Sequence, residues 1–216
     1  VRMVPIATEI ITRELTGKES PVPALEEKVI PYYGVKEAAF PFNMFPEVDP
    51  LLGPEMRSTG EVLGLSESYG EAFYKAQEAV QSKLPLSGTV LISVNRKDKA
   101  EVVEVAKLFH ENNFRIIATE GTCQLINEAG IPAEKIKKLC EGRPNVLDEI
   151  TNGKVDIIVN SPVGKDSVYD DSYLRKAAIK GRIPYCTTMA AAMAAATGIH
   201  AVNNHDGGKI ASLQEL

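Results

Sequence analysis

Apolar positions along the chain keep two different rhythms, and the change falls near Ser87. Before it, Met3, Ile6, Ile10 and Ile11 recur at helical spacing, with Pro5 suited to a first turn and Gly17 to the position after a helix. Val35 to Phe40 and Met56 to Leu65 read as strands separated by a proline-rich loop. Ser68 with Glu71 forms a capping box for a helix whose Phe73, Ala76, Val80 and Leu84 line one face. So few elements rarely enclose a core, so this part reads as the tail of a domain whose other half is absent. After Ser87 strands and helices alternate. Strands are predicted over Thr89–Val94, Arg115–Thr119, Lys135–Leu139, Val155–Asn160 and Ile183–Cys186. Between them fall a helix bearing Val102, Val105, Ala106 and Phe109, capped by Asp98 with Glu101, and helices over Thr122–Ala129, Asn145–Asn152 and Asp171–Lys180. An alanine-rich helix over Thr188–Thr197 closes the series. Five alternations with short connections call for parallel strands with helices on both faces, a doubly wound α/β sheet.

Composition narrows the class. Of 13 prolines, nine lie between Pro5 and Pro85, which matches the looping texture of the first part. Hydrophobic content of 44% and charged content of 25% exclude wholesale disorder. The 24 basic and 29 acidic residues leave a net charge of −5, which argues against coating nucleic acid or anionic lipid but not against a small anion site. No apolar run approaches the roughly 18 residues of a membrane helix, and no basic, then apolar, leader opens the chain. Cys123, Cys140 and Cys186 are odd in number and widely spaced, which fits reduced thiols in a cytoplasm rather than a disulfide frame or zinc site.

In doubly wound sheets the ligand lies beyond the carboxyl ends of the strands. Lys99 follows the first of these strands, Thr119-Glu120-Gly121-Thr122 the second, Lys138 the third and Asn160 the fourth. Hydroxyls, ammonium groups and free N–H groups at a helix start together suit a phosphate. Lys99 is expected in the first turn of a helix, where the macrodipole disfavours a cation, and a bound anion would resolve that conflict. Taken singly, Thr119 and Thr122 read as helix caps, Lys99 and Lys138 as solvated lysines, and Asn160 as a turn residue. Their convergence on one sheet edge raises the phosphate-site reading. His110, His200 and His205 have no Cys or Asp at ligand spacing, and no hydrolase, zincin or Walker motif is present. Residue chemistry alone therefore reaches an α/β domain that binds a small phosphorylated ligand.

The wording of the chain adds a family. Phe42-Asn43, Phe45-Pro46 and the run Val48-Asp49-Pro50-Leu51-Leu52-Gly53-Pro54-Glu55-Met56-Arg57-Ser58-Thr59-Gly60-Glu61-Val62 resemble the large subunit of carbamoyl-phosphate synthase, as does Glu141-Gly142-Arg143-Pro144-Asn145. The resemblance covers essentially the whole chain. It implies that residues 1–83 end the second ATP-grasp unit, the one that phosphorylates carbamate. Residues 84–216 would be the methylglyoxal-synthase-like regulatory domain. The implied activity is an ATP-dependent ligase joining bicarbonate and a glutamine nitrogen for arginine and pyrimidine synthesis. The ATP and the Mg2+ or Mn2+ sites would lie upstream of Val1. This segment would then carry no catalytic residue, cofactor or metal and be inactive alone. The implied partners are the rest of the large chain and a small glutaminase subunit.

The same resemblance implies regulatory ligands. Lys99, Thr119, Thr122, Lys138 and Asn160 match positions that bind the nucleotides UMP and IMP, although Pro162 replaces a further nucleotide-contacting threonine. Glu37, Leu52, Tyr185 and Thr187 match contacts to ornithine, with Phe40 and Cys186 departing from the common pattern nearby. Two other readings are a lyase of the methylglyoxal synthase type and a free-standing nucleotide-sensing module. The lyase needs a carboxylate base beside the phosphate, and Arg143-Pro144-Asn145 stands where the synthases carry Gly-Gly-Asp. Against the free-standing module stands the ATP-grasp tail.

Overall fold

A computed structural model describes residues 3–17, 29–44, 53–56, 58, 60–161, 168–204 and 212. The chain divides into two compact units, Val1–Pro31 and Tyr32–Leu216. The first contains one helix, α1 (Met3–Thr16). The hydroxyls of Thr8, Thr12 and Thr16 each donate to the carbonyl four residues earlier, at 2.8, 2.6 and 2.6 Å. Gly17 ends the helix at φ +67°, where its N–H donates to the Arg13 carbonyl, as the sequence led us to expect.

The second unit holds a parallel sheet of β3 (Gly88–Val94), β4 (Phe114–Thr119), β5 (Glu134–Ile136), β6 (Ile157–Ser161) and β7 (Tyr185–Cys186). Its spatial order is β5-β4-β3-β6-β7, with every pairing parallel. Alternation along the strands divides the core into two layers. Val90, Ile92, Ile116, Ala118, Ile157 and Val159 face one layer, filled by Val102, Val105, Ala106 and Phe109 of α3 (Val102–Glu111), Cys123 and Ile126 of α4 (Glu120–Glu128), and the alanines of α7 (Met189–Asn204). Leu91, Ile117 and Ile158 face the other, filled by α5 (Val146–Thr151) and α6 (Val168–Gly181). Apolar surface is thus buried on both sides of the sheet, which is why its strands read as continuous hydrophobic runs.

The remaining elements form a smaller layer on α7. Strands β1 (Tyr33–Ala39) and β2 (Gly60–Ser66) pair antiparallel, Glu37 opposite Val62, and α2 (Tyr69–Ala79) covers one face of the hairpin. Close approach needs glycine here. A Cβ on Gly64 would collide with the Ala72 carbonyl, and one on Gly70 would stand 2.8 Å from the Thr197 carbonyl of α7.

Several boundaries differ from the sequence reading for local reasons. The second strand begins at Gly60 rather than Met56. Helix α2 stops at Ala79, where Gln81 takes φ +61°, so Leu84 is buried from a following segment rather than a helical face. Ser68 accepts from the Glu71 N–H, but Glu71 turns its carboxylate to the Ser66 hydroxyl instead of completing the capping box. Asp98 does not cap α3: residues 98–100 form a separate 3-10 turn, and the Asp98 carboxylate accepts from the Asn95 amide at 2.6 Å.

Candidate functional site

The sheet reverses its winding between β3 and β6, so the crevice beyond those two carboxyl ends is the expected ligand position. In-register pairing sets Ser93 of β3 beside Asn160 of β6, and Val94 beside Ser161. Ser161 Oγ accepts from both the backbone N–H and the side-chain amide of Asn95 at 3.2 Å. Asn95 Oδ1 in turn accepts from the Lys97 and Asp98 N–H groups, which folds the loop carrying Lys99 back over the sheet.

Both threonines point away from helix capping. Thr119 occupies the N-cap position of α4 without a side-chain cap bond, and its hydroxyl donates to Ser93 Oγ at 3.3 Å. Thr122 Oγ1 receives the Val94 N–H at a long 3.5 Å. Thr119, Thr122 and Asn160 are only 4%, 2% and 5% exposed, so these polar groups lie beneath the surface, largely out of reach of water. The N-terminal N–H groups of α4 therefore lack the side-chain acceptor that Thr119 would normally supply.

Lys99 lies in the 3-10 turn rather than in the first turn of α3, and its half-buried side chain crosses to α4. Its Nζ would stand 3.0 Å from a Cβ placed on Gly121, in the first turn of that helix. Among the described residues no carboxylate pairs with this ammonium, and it sits at the positive end of a helix. The one acidic side chain of that turn, Glu120, is paired with Lys135. Lys138 follows Ile136, the residue of β5 that pairs with Thr119, and is exposed on the same edge.

Asn160 also meets the second set of candidate residues: its Nδ2 donates to Tyr185 Oη at 2.6 Å across the β6–β7 pair. Tyr185 is half-buried and Thr187 exposed. Glu37 lies on the hairpin face turned toward α2, where burial raises its pKa above the usual carboxylate range. No hydrogen bond or ion pair joins Glu37 to Tyr185 or Thr187 among the described residues. Leu52 and Pro162 lie outside the described residues.

The Arg143-Pro144-Asn145 segment is committed to capping. Asn145 accepts from the Leu147 and Asp148 N–H groups at the head of α5, and its own N–H donates to Asp148. The Arg143 guanidinium beside Asp148 holds that carboxyl below its ordinary range, so Asp148 stays ionised. Among the described residues no group of three or more His, Cys, Asp or Glu could hold a metal ion, and no helix is long and apolar enough to cross a membrane.

Sequence reasoning missed Ser93, which receives the Thr119 hydroxyl, and Ser161, which holds the loop at Asn95. The available signal was a serine inside the apolar run Val90-Leu91-Ile92-Ser93-Val94, but its relevance depends on the β3–β6 register.

Comparison with known proteins supplies the family. Residues 101–187 match the model of the MGS-like domain. The chain is 51% identical over 170 residues to the carbamoyl phosphate synthase large chain of Acidobacterium capsulatum, covering 79% of this chain and 16% of that protein. It is 44% identical over 188 residues to the carbamoyl phosphate synthase large chain, C-terminal section, of Aquifex aeolicus, covering 85% of this chain and 35% of that one. Methylglyoxal synthase from Elizabethkingia anophelis NUHP1 is similar in structure with a TM-score of 0.41 and 17% identity, over 50% of this chain and 75% of that one. The chain thus spans well under half the length of either curated relative. With such identities over most of its own length, it is homologous to the C-terminal section of carbamoyl phosphate synthase large chains and carries an MGS-like domain.

Proposed function

We propose that this chain is the regulatory end of a carbamoyl-phosphate synthase large chain and that the β3–β4–β6 edge binds a nucleotide monophosphate by its phosphate. One observation carries the reading. The Lys99 ammonium lies over the first turn of α4, whose N–H groups lack a side-chain cap because Thr119 has turned to Ser93. A phosphate between them would accept from the helix N–H groups and from Lys99, and would offset the repulsion between the ammonium and the helix dipole. Thr122, Lys138 and Asn160 surround the same edge. UMP and IMP are the ligands in view, and ornithine would use Glu37, Leu52, Tyr185 and Thr187.

On this reading residues 1–83 are the end of the carbamate-phosphorylating ATP-grasp unit and residues 84–216 the allosteric domain. ATP and its Mg2+ or Mn2+ would bind in the upstream part of the large chain, and a small glutaminase subunit would deliver nitrogen from glutamine. The whole enzyme would serve arginine and pyrimidine synthesis in the cytoplasm, and this segment alone would make no carbamoyl phosphate. Calorimetric titration of the 216-residue chain with UMP, IMP and ornithine tests the proposal. Saturable nucleotide binding that Lys99→Ala weakens is the expected outcome, and heat-silent titrations at millimolar nucleotide would refute it.

A further inference from the structure

We infer that Asn95 is a positioning residue for the phosphate pocket, acting through Lys99; the inference rests on the reading of that pocket given above. A lysine is a point charge on a flexible stem, so its placement depends on how firmly the backbone beneath it is held. Residues 95–97 lie in neither helix nor strand, between β3 and the 3-10 turn that carries Lys99. Asn95 spends both ends of its carboxamide, and its backbone N–H, on this connection. Oδ1 accepts from the Lys97 N–H at 2.7 Å and from the Asp98 N–H at 3.3 Å, which closes the turn from inside. Nδ2 and the Asn95 N–H both donate to Ser161 Oγ at 3.2 Å, which fastens the turn to the last residue of β6. One half-buried side chain thus joins the two strand ends where the sheet reverses its winding.

Its remaining contact bears on charge. Nδ2 also donates to Asp98 Oδ2 at 2.6 Å. Asp98 and Lys99 are neighbours in sequence, yet no ion pair joins them among the described residues. With its carboxylate held by Asn95, Asp98 leaves the ammonium over the first turn of α4 to an anion. The position needs an acceptor toward the turn N–H groups and a donor toward Asp98 and Ser161, and a carboxamide supplies both at once.

Calorimetry of the 216-residue chain with UMP at one fixed ionic strength tests this. Asn95→Ala should raise the UMP Kd about five- to tenfold, the scale of one hydrogen bond. In a double-mutant cycle with Lys99→Ala it should add less than about twofold, because the turn then has no ammonium to present. A merely structural asparagine would weaken the pocket with or without Lys99. Asn95→Asp should bind more weakly than Asn95→Ala, since it sets two carboxylates side by side near a phosphate. Adding Asp98→Asn to Asn95→Asp exchanges donor and acceptor at the net charge of the wild type, and should bring the UMP Kd back to within about threefold of it. The same Asp98→Asn change on Asn95→Ala should recover much less, which separates a restored hydrogen bond from a change of charge. Should Asn95→Ala melt too early to titrate, Asn95→Asp and the exchanged pair still decide the matter. Unchanged affinity in Asn95→Ala, a full penalty that persists without Lys99, or an exchanged pair no better than Asn95→Asp would overturn the proposal while leaving the pocket standing. If the wild-type chain binds neither UMP nor inorganic phosphate, the pocket reading itself falls, and this inference with it.

Discussion

Replacing Gly121 with alanine should separate the stability of the fold from the affinity of the pocket. Gly121 sits in the exposed first turn of α4 and does not take a positive φ, so alanine fits its backbone. In a helix interior alanine is better than glycine by roughly 0.8–1 kcal/mol. At a first-turn position we expect about half of that, a rise in Tm of about 1–2 °C for a chain of this size. The new methyl would stand 3.0 Å from Lys99 Nζ and 4.0 Å from its Cε, with no backbone atom that close. The end of a flexible side chain can yield cheaply, so folding should not suffer. Binding should, because the ammonium must retreat by a few tenths of an ångström and the methyl enters the space in front of the helix N–H groups. A hydrogen bond to a charged group contributes about 1.5–3 kcal/mol, which sets the loss for Lys99→Ala at roughly ten- to a hundredfold. Displacing the charge should cost part of that, so UMP should bind Gly121→Ala about five- to tenfold more weakly. Calorimetry at one fixed ionic strength gives the affinity, and thermal melts of the same samples give the stability. Unchanged UMP affinity would refute the placement of the anion between Lys99 and α4. A fall in Tm together with affinity would show that the methyl damages the fold rather than the site.

Other measurements test the surrounding structure. Burial raises the Glu37 pKa above its ordinary 4.5, so the stability this favours is present below that pH and lost as pH rises through the raised value. Glu37→Gln should therefore raise Tm at neutral pH and lose that advantage under acid conditions. A constant difference across the pH range would mean that burial does not penalise the charge. Thiol titration should find Cys140 alone reactive in the native chain and all three cysteines after denaturation, since burial raises the Cys123 thiol and pushes Cys186 up to about 12. Rapid native modification of Cys186 would contradict its packing beside β6. Gly70→Ala should destabilise the chain by about 1–3 kcal/mol, because its Cβ would stand 2.8 Å from the backbone carbonyl of Thr197, which cannot swing aside. An unchanged melt would show that α2 and α7 have slack between them.

The sheet was legible because its strands are buried on both faces. Runs such as Val155-Asp156-Ile157-Ile158-Val159 can hardly be anything else in a chain that alternates them with helices. Strand-end residues were legible for a related reason: the topology determines which loops share an edge before any side chain is placed. What the sequence could not show was the direction of each hydroxyl. Thr119 at the head of a helix reads as a cap, and only the neighbouring strand explains why its oxygen turns to Ser93 instead. Lys99 was misplaced by one structural unit because Asp98 resembles an N-cap, whereas Asn95 claims its carboxylate from three residues earlier. Such competition between local partners leaves no periodic trace. The set matched to ornithine came from the family resemblance alone. Glu37 and Tyr185 come from segments far apart in sequence, and nothing in either local pattern points to the other.

The position of α7 gives the candidate sites a physical relation to the hairpin. This helix starts three residues after Cys186 of β7 and runs past the sheet to lie against α2. Five of its seven buried residues are small, Ala192, Ala194, Ala195, Ala196 and Gly198, with Met189 and Ile199 toward either end. A Cβ on Gly198 would stand 3.0 Å from the Gly70 carbonyl, so the two backbones approach with no side chain between them. Large interlocking side chains can absorb a displacement by changing rotamer, whereas alanine and glycine cannot. A shift at the end of β7 would therefore be carried by α7 with little loss, reaching α2 and the strand that holds Glu37. An element with two discrete arrangements is still required for such a shift to act as a switch. Within the described residues the Asn160–Tyr185 hydrogen bond stands at the head of this packed path, where β6 and β7 end.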